Sequence, residues 1–368
     1  MRIPVNDLQR QALSIEGELN TAVSRVIRSG RYVGGPELEA FEQAFARACS
    51  RRYCIGVGNG YDAIEIGLRG LGIGAGDEVV TVANAGGFGS LAILMTKALP
   101  VYVDIDWSTM NIDAAKVEGA LTRRTRAIIV THLYGRLAPM EPIVRIARAA
   151  GISIIEDAAQ AHGAVRNGRP AGGYGDVGCF SFYPTKCLGA VGDAGAIVTD
   201  DEELATKVRA LRQYGWRERM VAELGGGRNS RLDEIQAAVL HLKLRHLDVW
   251  NARRRAIDAA YRAAIEHPDI DWPDAAGEDH AVHLCVLRSR DRDRLRAHLT
   301  DAGVGTSVHY PVPDYGQPAL KAALSGPVSL PVTERASREV LTLPNFPEMT
   351  TEEVGHVIEA VRKAVAFA

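Results

Sequence analysis

From about residue 50 to 200, short runs of β-branched and aliphatic residues alternate with stretches whose apolar positions recur every three or four residues. The runs CIGV (54–57), EVVTVA (78–83), PVYVDI (100–105), AIIVTH (127–132), SIIED (153–157), CFSFY (179–183) and AIVTD (196–200) are the expected strands. Between them, DAIEIGLRGLG (62–72) and MEPIVRIARAAG (140–151) have helical spacing, and each closes on a glycine able to adopt the left-handed conformation at a helix end. This alternation predicts a largely parallel sheet built from crossover units, and so an α/β class.

Beyond residue 200 the period changes. Residues 201–215 and 231–266 carry abundant charge with apolar residues at helical spacing, which predicts long helices. A second αβ pattern opens with HAVHLCVL (280–287), continues as a helix over 291–303 and ends in a helix over 350–367. The expected organisation is a large domain over residues 1–249, with an N-terminal helical segment, and a smaller C-terminal αβ domain over 250–368. The segment 215–230 is the one long mid-chain stretch that reads as loop, and long loops in compact domains tend to be functional.

A chain of 368 residues, 46% hydrophobic, can fill two cores. Its 43 Lys and Arg against 45 Asp and Glu leave a formal charge of −2, so no broad field draws it to nucleic acid or an anionic membrane. Small-molecule partners are expected. There is no apolar leader and no run approaching the roughly 18 apolar residues of a membrane span, so a cytoplasmic location is expected. The five cysteines, Cys49, Cys54, Cys179, Cys187 and Cys285, show neither CxxC pairing nor His partners at metal-ligand spacing, and are read as reduced, structural residues with no metal site.

In an open parallel sheet, ligands bind outside the carboxyl ends of the strands, and four places there carry candidate chemistry. CIGV runs into GNGYDAI, where glycines free the backbone and a helix opens with unpaired N–H groups suited to a phosphate. Its GxGxG spacing, with no acidic residue ending the next strand, disfavours a dinucleotide; a plain tight turn is the alternative. SIIEDAAQAHG ends an apolar strand in Glu156 and Asp157, which suit a structural cap, a buried ion pair, a metal or a cationic ligand nitrogen. CFSFYPTKCLGAVGDAG sets Ser181 and Lys186 among apolar residues, and a desolvated lysine has a depressed pKa that makes it a nucleophile toward an aldehyde. GGGRNSRLDEIQAAVL offers Asn229 and Arg231 at the mouth of a helix, either as part of its cap with Asp233 and Glu234 or reaching an anion across a subunit boundary. Together they supply what pyridoxal 5′-phosphate requires: an amine for its aldehyde, a carboxylate for its ring nitrogen, and donors for its phosphate.

The segments EDAAQAHGA (156–164), FSFYPTKCLGAVGDAGAIVTDDEEL (180–204), RNSRLDEIQAAVL (228–240) and VHYPVP (308–313) resemble the DegT/DnrJ/EryC1/StrS family of sugar aminotransferases, and the similarity extends over nearly the whole chain. The resemblance implies an aspartate-aminotransferase-like (type I) fold and a homodimer with shared active sites. It also implies Lys186 as the cofactor-linking lysine, Asp157 as partner of the pyridine nitrogen and Gln160 near the ring hydroxyl. Ser181 and the backbone of Gly60 and Tyr61 match the phosphate site, Asn229 matches a phosphate ligand from the other subunit, and His309, Tyr310 and Arg231 are candidates for the substrate. Two departures stand out: the turn usually read SGTDAL is NGYDAI here, and Phe88 is the ring nearest the position that usually stacks on the cofactor.

The activity so implied is transfer of an amino group, from glutamate, to a keto group of a nucleotide-linked deoxysugar, with HYPVP leaning toward C3. A keto-cyclitol acceptor and a non-catalytic regulator that binds the cofactor are the competing readings.

Overall fold

The computed structural model describes residues 1–275, 277–324 and 326–365. Seven strands, β1 (Tyr53–Val57), β2 (Glu78–Thr81), β3 (Leu99–Tyr102), β4 (Thr125–Thr131), β5 (Ser153–Asp157), β6 (Val177–Ser181) and β7 (Gly195–Thr199), form one sheet in the order β1, β7, β6, β5, β4, β2, β3. Strands β2 to β6 pair in parallel, while β7 runs antiparallel to both β1 and β6. Both faces are covered. Ile55, Val79, Ile129, Ile155 and Ile197 pack against the helices Gly60–Gly70 and Glu202–Leu211, whereas Cys54, Val80, Ile128, Ile154 and Val198 face the helices Pro36–Ala48 and Met140–Ala150. On that second face Phe45 meets Phe180 and Phe182 edge-on, with centroids 4.9 and 5.1 Å apart.

The expected strand over 280–287 begins only at Cys285 and runs to Ser289. Before it, the backbone is taken by the loop after β4: Ala281 N donates to Gly135 O at 2.9 Å and His280 bridges Arg136. Strand Cys285–Ser289 is the centre of a three-stranded antiparallel sheet with Ile270–Asp271 and Val340–Leu343. The helical region expected over 231–266 divides into Glu234–Leu244 and Leu247–Ala264. The boundary at 249/250 falls inside the second of these, whose Trp250 packs with Ile15 and Leu19 while Ile257 and Tyr261 enter the C-terminal core. Ile3 also joins that core, donating to Gly303 O and accepting from Gly305 N. The final helix is Thr351–Val365; the rest of its expected span, to 367, lies outside the described residues.

Glu234, read from sequence as a cap for its own helix, caps another. Its carboxylate accepts N–H bonds from Gly35 at 2.8 Å and from Glu37 and Leu38 at 3.0 Å, at the start of the helix Pro36–Ala48. A second buried carboxylate ties the loop after β2 to the C-terminal half: Asp314 N donates to Ala83 O, and Oδ2 accepts from Ser90 at 2.6 Å. Burial pushes the Asp314 carboxyl up to about 6, the Ser90 bond opposing it. Because this folded value lies above the roughly 3.9 of a free aspartate, the charged form weakens the fold above about pH 6 and not below about pH 4. Asp314→Asn keeps an acceptor for Ser90, so its denaturation midpoint is expected to exceed the native one at pH 7.5, by about 2–3 kcal/mol, and to converge with it at pH 4.

Candidate active site

The carboxyl ends of β4, β5 and β6 bring Thr131, Asp157 and Ser181 to one edge of the sheet, and β1 delivers the start of the helix Gly60–Gly70 to the same edge. A cavity of about 340 Å³ opens there, lined by Gly60, Tyr61, Phe88, Asp157, Gln160, Ser181, Lys186 and Tyr310 among others. Its size suits a small organic ligand. His309 lines an adjoining cavity. Asn229 is exposed, and neither it nor Arg231 lines the cavity of its own chain.

The end of the cavity at the helix terminus depends on close packing. Asn59 caps the helix by accepting from Asp62 N at 2.8 Å, which leaves the N–H groups of Gly60 and Tyr61 in the first turn without intrahelical acceptors. A Cβ on Gly60 would stand 2.4 Å from that of Ser181, so only glycine lets the helix terminus and the Ser181 hydroxyl converge. The helix is clamped from outside by Arg228, which pairs with Asp62 at 2.7 Å and with the buried Glu65. Gly60→Ala is therefore expected to force these elements apart and weaken retention of a phosphorylated cofactor at least tenfold, read by equilibrium dialysis, while circular dichroism reports whether the sheet survives.

At the other end, Asp157 accepts from Ala159 N at 3.2 Å and from Thr131 Oγ1 at 3.4 Å, leaving acceptor capacity directed at the cavity. Burial raises its pKa, and the Ala159 N–H and the charge of Lys186 pull the other way. Lys186 follows the turn at Tyr183, where its own N–H returns to Tyr183 O at 2.8 Å. A Cβ on Gly189 would meet Pro184 O at 2.3 Å, so that glycine permits the tight loop presenting the lysine. Burial depresses the Lys186 pKa, Asp157 opposing it, and no side chain among the described residues accepts a hydrogen bond from Nζ. Burial that disfavours the protonated form suits an amine so placed to act as a nucleophile.

Glu156, beside Asp157 in sequence, points to the opposite side of the strand and serves structure. It is fully buried and accepts from His132 Nε2 at 2.9 Å and from the N–H groups of Gly172, Tyr174 and Gly175. Gln160 is held by Tyr134 N at 2.6 Å and by Tyr310 at 3.3 Å. The Tyr310 ring lies against Gly86, where a Cβ would come within 2.9 Å, and 6.4 Å from the ring of Phe88. Gly86 thus makes room for Tyr310, and the rings of Tyr61, Phe88, Tyr183 and Tyr310 all border the cavity. Sequence reasoning missed Thr131, although it ends β4 just as Asp157 ends β5. His162, which the sequence placed on the turn after Asp157, and His283, which it missed, are both buried, and burial together with the nearby charge of Lys186 lowers the pKa of each.

An amine and a carboxylate of opposite charge, facing a helix terminus with free N–H groups and a serine, fit pyridoxal phosphate group by group. With the mostly parallel sheet and its antiparallel β7, they define a pyridoxal-phosphate enzyme of the aspartate-aminotransferase (type I) fold. The chain belongs to the DegT/DnrJ/EryC1/StrS aminotransferase family, whose sequence profile matches residues 13–362. It is 44% identical over 364 residues to a dTDP-3-amino-3,4,6-trideoxy-alpha-D-glucose transaminase of Streptomyces venezuelae, covering 98% of this chain and 96% of that one. Among solved structures, S. venezuelae DesV in complex with a ketimine intermediate superposes with a TM-score of 0.95 at 45% identity, over 98% of each chain. Bacillus subtilis NtdA with bound cofactor PMP superposes with a TM-score of 0.92 at 33% identity, over 99% of this chain and 85% of that one. Among the described residues no helix is long and apolar enough to cross a membrane.

Proposed function

We propose that this protein is an aminotransferase that moves an amino group from glutamate to the C3 keto group of a nucleotide-linked deoxysugar. The observation that carries the reading is the convergence of Lys186 and Asp157 on one cavity opposite the Gly60 helix terminus. The name of the S. venezuelae relative supports the sugar and the carbon, and the resemblance of the site motifs supports the donor.

When bound, pyridoxal phosphate supplies an aldehyde for amine exchange and an electron sink for the carbanion formed by loss of a Cα proton. The chain's own groups do the rest. Asp157 Oδ holds a proton on the ring nitrogen, which maintains that sink. Gly60 and Tyr61 N–H and the Ser181 hydroxyl anchor the phosphate. Lys186 Nζ, with its lowered proton affinity, carries the proton between the donor's Cα and the cofactor carbon. Gln160, fixed from both sides, is oriented toward the ring hydroxyl.

We further propose that a second copy of the chain completes the site. Asn229 and Arg231 lie outside the cavity of their own chain, and exposed apolar side chains, including Phe88 and Tyr183 at the cavity and Tyr214, Met220 and Val221 on the 214–222 segment, suit burial by a partner. In that dimer Asn229 reaches the phosphate across the interface.

Adding glutamate to the loaded protein is expected to abolish the long-wavelength cofactor absorbance, and a thymidine-diphosphate-linked 3-keto sugar is expected to restore it. Restoration by a keto-cyclitol and not by the sugar would transfer the assignment to that acceptor; no response to glutamate would remove the aminotransferase reading.

A further inference from the structure

A second buried lysine lies outside the cavity. Lys243 sits in the last turn of the helix Glu234–Leu244 and is only 5% exposed, with Val239, Leu240 and Leu242 of the same helix buried around it. Burying an ammonium is unfavourable, and a methionine would fill the same space without that cost. Burial lowers the Lys243 pKa to about 8, and Glu348 opposes this through its charge alone. A charge held against its own solvation marks a place where local stability yields to another requirement.

What Lys243 touches is the loop that presents Lys186. Its Nζ donates to Gly189 O at 2.9 Å, with a longer contact of 3.5 Å to Gln11 Oε1 on the helix Leu8–Ser14. About two turns earlier on the same helix, Gln236 Oε1 accepts from Val191 N at 2.9 Å. The approach is close, since a Cβ on Gly192 would come within 3.0 Å of Gln236 Nε2. One helix thus grips the loop at a carbonyl and, two residues on, at an N–H. The other ties from outside the loop, Asn6 Nδ2 to Thr185 O at 3.4 Å and Cys187 Sγ to Ala281 O at 4.0 Å, are longer. Inside the loop, Ala190 N donates to Phe182 O at 2.8 Å, so a pull on Gly189 or Val191 is passed to the turn from which Lys186 projects.

A lysine side chain is long and flexible, and an amine that must meet one carbon atom needs its backbone fixed. A hydrogen bond from an ammonium is stronger than one from a neutral donor, which gives the buried charge a use at Gly189 O that an apolar residue lacks. We infer that Lys243, seconded by Gln236, is a positioning residue for Lys186: it holds the Gly189 carbonyl from behind the loop and so keeps the Lys186 amine at the cofactor aldehyde, while itself touching neither substrate nor cofactor. This rests on the proposed role of Lys186 and adds how that lysine is held in place.

Two related ligands separate placement of the amine from integrity of the pocket. Pyridoxal phosphate requires both, whereas pyridoxine phosphate, with an alcohol in place of the aldehyde, requires the pocket alone. On the full chain freed of cofactor, the rate of appearance of a borohydride-fixed adduct, located on Lys186 by peptide mapping, is compared with the calorimetric Kd of pyridoxine phosphate. Lys243→Met is expected to slow the adduct about tenfold while the pyridoxine phosphate Kd changes less than about twofold. Gln236→Met, at a half-buried position, is expected to slow it about threefold and keeps the test decisive should the buried variant fail to fold. Lys243→Arg, which restores a charged donor, is expected to recover part of the lost rate. An adduct rate within about twofold of native in every variant that folds would overturn the inference, and so would parallel losses for both ligands, which would make the helix a support of the whole pocket. A native chain that forms no adduct on Lys186 would overturn the proposed function together with this inference, whereas a native adduct indifferent to these substitutions overturns the inference alone.

Discussion

Lys186→Ala protein is expected to yield no borohydride-fixed cofactor and to transaminate roughly 10³-fold more slowly than the native enzyme, or worse. The size of the effect follows from two roles lost together. In the proposed mechanism Nζ is both the nucleophile toward the aldehyde and the carrier of the proton, and no other amine is among the described cavity-lining residues. Cofactor is still expected to bind, because Asp157, Ser181 and the helix terminus at Gly60 are untouched. The rival is Lys243, also buried, with a pKa lowered by burial to about 8. It donates to Gly189 O at 2.9 Å from behind the loop and does not line the cavity. A trapped adduct surviving in Lys186→Ala and located by peptide mapping on Lys243 would sink the assignment of Lys186.

The largest loss of stability is expected from Glu156→Ala. Removing this carboxylate strands three backbone N–H groups and the His132 imidazole in a fully buried position, with Arg51 Nη2 also 3.9 Å away. A cost of about 3–5 kcal/mol is the expectation for breaking such a buried set, and thermal unfolding followed by ellipticity would show it. Burial by itself pushes the Glu156 pKa up, but the bonds from His132, Gly175 and Tyr174 outweigh that and leave it below the ordinary glutamate value. The stabilisation is thus present above the free-glutamate value near 4.3 and is lost as pH falls through the folded value. A Glu156→Ala midpoint within about 1 kcal/mol of native at pH 7 would contradict this account.

Much of the site could be read from strand ends, because a parallel sheet delivers all its carboxyl termini to one edge and the chemistry collects there. That rule points to Asp157 and Ser181 and to the loop that carries Lys186, and applied to β4 it points to Thr131; all four line one cavity. What escaped sequence reasoning depends on partners distant in the chain. Glu234 caps a helix some 200 residues earlier, Ile3 completes a core otherwise built after residue 256, and His280 to Leu284 trade a regular strand for bonds to the loop after β4. Local periodicity carries no information about such pairings. The roles of Glu156 and Asp157 could not be separated from sequence either, since adjacent strand residues point to opposite faces and only the packing decides which face is the cavity.

The placement of β7 between β1 and β6 has a consequence for synthesis. Tyr53 finds its partner only in Thr199, so the first strand to leave the ribosome has no hydrogen-bonded neighbour until the seventh has emerged. At translation rates of about 5–20 residues per second, that is a wait of roughly ten seconds or more with an apolar edge uncovered. Nascent chains stalled before Gly195 are therefore expected to recruit chaperones at β1, and those extended past Thr199 to release them.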